Sequence, residues 1–190
     1  MKGTELLKQE HGTIEHVANA CDVFAEMLLN GIKVPTDVLH SVAEFLRVFC
    51  GDYHHEQEAW FFAMLRVKGF PSKDFPMDSL RREHDRLALL THTLTKAVDM
   101  YAASDRRADA ALMSTLRALA ELYSDHIWKE NYVLLPIAEE LFTATDQRVL
   151  ADTLHMVNLA KGTNARWAVE QLRSSIGLCP ECNEQEPRAV

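Results

Sequence analysis

No stretch of this 190-residue chain approaches the run of about 18 apolar residues that a membrane-spanning helix needs, so no membrane span is expected. The first residues, Met1-Lys2-Gly3, lead straight into a mixed polar and apolar stretch, which is not the pattern of a signal peptide. Positive charge is scarce: 20 Lys and Arg face 28 Asp and Glu, and the net charge of −8 leaves no global field to draw nucleic acid or an anionic membrane. The four cysteines do not form a disulfide framework, because Cys21 and Cys50 stand alone and only Cys179 and Cys182 are paired in sequence. That usage fits a reducing cytoplasm. Alternation with period two is also missing, so strands are not expected. What remains is an ordinary globular composition, 47% hydrophobic and 25% charged, long enough for one domain around one core. Nine histidines are the exception, and their placement carries the functional signal.

Apolar residues recur at helical spacing in four long segments separated by breakers. The first covers about 4–30 and stops at Gly31; the second covers about 36–68, after Pro35, and stops at Gly69. A loop with Pro71 and Pro76 leads to the third, about 78–103. Ser104 and Asp105 then offer a cap for the fourth, about 106–141, in which Pro136 should kink or end the helix. A fifth helical pattern covers about 145–175. The expected fold is all-α: an antiparallel up-down four-helix bundle with an additional C-terminal helix, over residues 1–176. Residues 177–190 read as a polar tail.

The two halves repeat at a shift of 72–73 residues. Gln9-Glu10-His11 returns as Arg82-Glu83-His84, and the stretch around His54 and Glu58 returns around His126 and Glu130. Each half is therefore a helix with one histidine followed by a helix with His-x-x-x-Glu. Four residues advance a helix by about 400°, so each His and Glu lie one turn apart on the same face and can approach one ion together. Leu7 and Ile14 flank His11, Leu80 and Leu87 flank His84, and similar neighbours flank the other positions, which puts all six on the core face. Four buried imidazoles and two buried carboxylates would each cost several kcal/mol or more without partners. A cation is the simplest partner. His55, next to His54, should point about 100° away, and His16 about 140° from the face of His11. His40, His92 and His155 have no paired carboxylate at ligand spacing. No histidine follows a glutamate by three positions, which disfavours a ferritin-like site.

The set His11, His54 with Glu58, His84, and His126 with Glu130 resembles the hemerythrin-like, or HHE cation-binding, family over about residues 4–141. Glu-Asn-Tyr-Val-Leu-Leu-Pro, ending at Pro136, is similar to that family's continuation of the fourth helix. The resemblance implies an up-down-up-down bundle holding two iron ions, bridged by Glu58 and Glu130 and by an oxo or hydroxo group. It departs from the oxygen-carrying members at two places. Ala88 stands where they have a second histidine, and Asn131 stands where they have an aspartate, with Glu130 one residue earlier. These departures weaken a reversible-carrier reading. Glu15, one turn after His11, could replace the missing donor or be an ordinary surface residue.

The implied partner is a small diatomic or peroxide ligand, with no nucleic acid and no membrane. Three classes stay open: a module that binds or senses oxygen or nitric oxide, a peroxide-consuming enzyme, and a protein that stores or delivers iron. Cys179-Pro180-Glu181-Cys182 is half of a tetrahedral thiolate site. A zinc closed by the same pair from a second copy would make a homodimer, a dithiol–disulfide couple is the alternative, and two plain thiols in the tail are the simplest reading.

Overall fold

The computed structural model describes residues 1–71, 75–105 and 108–177. Five helical rods account for nearly all of them, with no strand among the described residues. The first rod is α1 (Gly3–Leu29). The second is continuous through α2 (Thr36–Phe45), a π-helical stretch (Leu46–His54) and α3 (His55–Val67), with helical backbone angles at both junctions. The third is α4 (Met77–Ala102). The fourth joins α5 (Ala108–Lys129), a second π-helical stretch (Glu130–Leu134) and α6 (Leu135–Leu141). The fifth, α7 (Ala144–Gly177), lies across α1 and the second rod. The all-α bundle with an additional C-terminal helix is thus observed. No helix among the described residues is long and apolar enough to cross a membrane.

The rods end where backbone chemistry requires. At the end of α1, Gly31 (φ +72°) donates its N–H to the Leu28 carbonyl, and Ile32 donates to Met27. Gly69 (φ +86°) ends α3 with the same pair of reversed bonds. Both are left-handed caps that glycine adopts without steric cost. Ser104 does not open the fourth rod as expected; it closes α4 in the same left-handed conformation, at φ +60°. Pro136 does not end the fourth rod either. The wide π turns of Glu130–Leu134 precede it, and Pro136 falls in the first turn of α6, where its missing N–H is tolerated. Thr143 and Asp146 cap α7 reciprocally: each side chain accepts the other's backbone N–H, at 3.2 and 2.8 Å. Asp146 also pairs with Lys68 at 2.6 Å, which ties α7 to the end of the second rod.

The interior is two apolar clusters with a polar layer between them. One contains Ile14, Leu46, Cys50, Leu87, Leu119 and Tyr123. The other contains Leu7, Phe61, Leu65, Leu80 and Leu134. Each lead histidine of the repeat sits where its helix passes from one cluster to the other: His11 between Leu7 and Ile14, His84 between Leu80 and Leu87. Packing on both sides locks these helices in register and fixes the rotamers of the side chains in the layer. Cys179 and Cys182, with the tail that contains them, lie outside the described residues.

Candidate metal centre

All six side chains singled out from the sequence meet in this polar layer, contributed by all four bundle rods. His11, His54, Glu58, His126 and Glu130 are each at most 2% exposed. His84 is partly exposed at the bundle surface. With His55, their nitrogen and oxygen atoms form two groups of mutually close donors: His11, His54, Glu58 and Glu130; and His55, Glu58, His84 and His126. Glu58 belongs to both. Its Oε1 lies 2.9 Å from His54 Nε2 and its Oε2 lies 3.0 Å from His84 Nε2. Glu130 Oε2 is 3.2 Å from His11 Nε2 and 3.7 Å from His126 Nε2.

These approaches are convergence without satisfaction. Both oxygens of Glu58, both of Glu130 and His11 Nε2 are buried with no aligned hydrogen-bond partner. Such orphaned atoms are costly, and a cation accepting their lone pairs removes the cost. His84 Nε2 and His126 Nε2 face each other at 3.2 Å, the spacing of two donors directed at one point. The residues therefore fit a metal by geometry as well as by type, and mixed imidazole and carboxylate donors suit iron.

Behind the inward atoms stands an outer layer that repeats with the halves. Glu10 accepts from His54 Nδ1 at 2.8 Å and from the Tyr53 hydroxyl at 2.8 Å. Glu83 accepts from His126 Nδ1 at 3.1 Å, from Lys129 at 2.8 Å and from Ser79 at 2.6 Å. Asn131 Oδ1 accepts from His11 Nδ1 at 2.7 Å. Each bond holds a proton on Nδ1, so that Nε2 faces the centre and is the nitrogen that gives up its proton when a metal binds. Neither glutamate was identified as functional from the sequence. Yet the repeat contains the signal, since each is the residue immediately before a lead histidine.

Electrostatics follow from this crowding. Burial lowers His11, but the adjacent Glu130 and Glu58 carboxylates outweigh it and raise the imidazole to about 9. Burial likewise opposes protonation of His54, yet Glu58 and Glu10 hold it well above the ordinary histidine range. Burial would raise Glu58, but the His54, His11 and His84 imidazoles bring it well below the carboxylate range. His55 goes the other way: burial and then the nearby His84 push it well below, so it is neutral. Burial drives the Cys50 thiol upward despite a hydrogen bond from Tyr123, leaving it an inert apolar neighbour.

At the site one sequence expectation is overturned, and the two readings of Glu15 are resolved. His55 does not point away from the site: its ring stacks on His84 with centroids 4.0 Å apart and planes 15° apart. The cause is the π-helical stretch ending at His54, where extra residues per turn rotate successive side chains by less than the α-helical 100°. Glu15 is exposed and joins neither donor group. Ala88 is also exposed; it lines a cavity of about 440 Å³ that reaches His55 and Tyr123. Tyr53 has its role through Glu10, whereas Trp60, Trp128 and Tyr132 are exposed.

A four-rod helical bundle with inward histidine and glutamate donors from every rod defines a cation-binding bundle protein. The hemerythrin HHE cation-binding domain profile matches residues 2–138, and the chain belongs to that family. Among curated proteins it is similar to the uncharacterised proteins Rv1995 of Mycobacterium tuberculosis and Mb2018 of Mycobacterium bovis. Each is 26% identical over 150 residues, which is 78% of this chain and 58% of the relative. The chain thus spans a little over half the length of the curated relatives it matches. No solved structure matches it.

Proposed function

We propose that this chain is a non-haem di-iron protein that binds or reacts with oxygen, nitric oxide or peroxide. The observation that carries this reading is the double convergence of buried, unpartnered donors around Glu58. His11, His54 and Glu130 would hold one ion, and His84 and His126 the other. Glu58, which belongs to both donor groups, would be shared between them, and Glu130 Oε2 also lies 3.7 Å from His126 Nε2. The bound iron pair would supply electrons and open coordination positions to a small ligand.

The remaining chemistry belongs to the chain. Glu10, Glu83 and Asn131 hold a proton on each Nδ1, so that Nε2 faces inward. The apolar clusters on either side exclude bulk water. The cavity at Ala88 reaches His55 beside the layer and would be the approach for a diatomic molecule or peroxide, which supports reaction over long-lived oxygen storage. Anaerobic ferrous loading with metal analysis, followed by spectra on mixing with oxygen, nitric oxide and peroxide, tests the proposal. About two irons per folded chain and a rapid spectral response are expected. One iron per chain, or none, in a protein that keeps its helical signal would overturn the di-iron reading; iron release without reaction would point to storage or delivery.

A further inference from the structure

We infer that His55 is a metal ligand, supplying the second ion with the nitrogen donor that Ala88 cannot. The inference rests on the di-iron reading and adds a residue outside the paired His-x-x-x-Glu pattern. Three independent features of the structure converge on it. His55 Nε2 is buried and has no hydrogen-bond partner. Its donor atom lies within 4.8 Å of those of Glu58, His84 and His126, and its ring stacks on His84 at 4.0 Å. The π-helical stretch Leu46–His54 presents His54 and His55 to the same layer, a local distortion of the kind often found at functional sites.

The internal repeat shows why the assignment is asymmetric. At the 72-residue shift of the repeat, the position matching His55 is Ile127, a buried core residue. The position matching Asn131, which orients His11, is Ala59, so His84 has no such support. Both of these differences between the halves fall on the layer. With His55 the ions receive distinct donor sets: His11, His54, Glu58 and Glu130 for one; His55, His84, His126 and Glu58 for the other. The second is richer in imidazole and borders the cavity of about 440 Å³ shared by His55 and Ala88. That border makes it the ion a small ligand meets first.

Cobalt(II) loading of the full chain reads this directly. Histidines bound to paramagnetic cobalt give hyperfine-shifted imidazole proton signals, one set for each bound ring. The wild type should show five sets, from His11, His54, His55, His84 and His126. Four sets in a wild type that binds two cobalt ions would overturn the assignment and leave the two-ion reading intact. His55→Gln should lose one set. It should also weaken the second equivalent by more than the roughly 10–100-fold that loss of an outer hydrogen-bond partner costs. Circular dichroism of the metal-free variant separates this from unfolding, and the wild-type count does not depend on the variant. Adding Ala88→His to His55→Gln places an imidazole one turn beyond His84 on the same cavity; recovery of the second equivalent would show that a nitrogen donor was what had been lost. If the wild type takes up a single cobalt, the two-ion reading falls. The shifted signals still decide His55: loss of a set in His55→Gln supports its role, and persistence of every set overturns it.

Discussion

Loading this centre with metal should expel protons, and the structure gives the size of the effect. His11 is 1% exposed, with Glu130 Oε2 at 3.2 Å and Glu58 Oε1 at 3.6 Å, and its imidazole is raised to about 9. In the metal-free chain it therefore carries a proton at neutral pH, and only the deprotonated form can bind a metal. At pH 7 the competing proton should cost about 100-fold in apparent affinity relative to the deprotonated form, or roughly 2.7 kcal/mol. His54 shifts in the same direction, so the slope should be at least about one logarithmic unit per pH unit before it flattens near pH 9. The sign for folding without metal is opposite. A raised folded-state pKa means that protonated His11 stabilises the metal-free fold fully below about 6.5, and this contribution, about 3 kcal/mol, is lost as pH rises through 9. Zinc or cobalt titrations against a competing chelator from pH 6 to 10, with an indicator dye for released protons, measure both. Affinity independent of pH over this range, or no proton release at pH 7, would refute the account of His11.

Four further outcomes are expected. Glu10→Ala should weaken binding by roughly 10–100-fold, and Glu83→Ala similarly, while Glu10→Gln keeps an acceptor for His54 and loses less; chelator competition ranks them. Glu58→Ala should lose more metal than Glu130→Ala, and Glu15→Ala none, because Glu15 is exposed and outside both donor groups; metal analysis of the purified variants that shows iron loss in Glu15→Ala contradicts this order. Ala88→His should slow oxidation of the ferrous protein by filling the cavity beside His55, read by stopped-flow absorbance; an unchanged rate in an iron-replete variant rejects the cavity as the entry path. Ser104→Gly should raise the thermal midpoint, since a left-handed serine costs about 1–2 kcal/mol and glycine gives back part of that in unfolded-state entropy.

What could be read from the sequence was whatever depends on local periodicity. Apolar spacing marks the helices, because burial of one face is written every three or four residues; α1 and α7 begin and end within about two residues of those limits. The six candidate donors were legible for the same reason: His54 with Glu58, and His126 with Glu130, are one turn apart in any helix, and the repeat duplicates the arrangement. Where the backbone leaves the ideal α-helix, that reasoning fails. His55 turns inward on a π-helical stretch whose wider turns no α-helical wheel describes, and Pro136 is absorbed by a second such stretch. Contacts across 43 to 120 residues were also hidden: Glu10 on His54, Glu83 on His126 and Asn131 on His11 arise only when rods pack side by side. The two readings of Glu15 were likewise separable only by packing, for a position one turn from the buried His11 can still sit at the edge of the stripe and face water. The chain alone determined which residue types could share a face of each helix. The packing of the rods decided which of them share a metal site, because convergence on a point is a property of several helices at once.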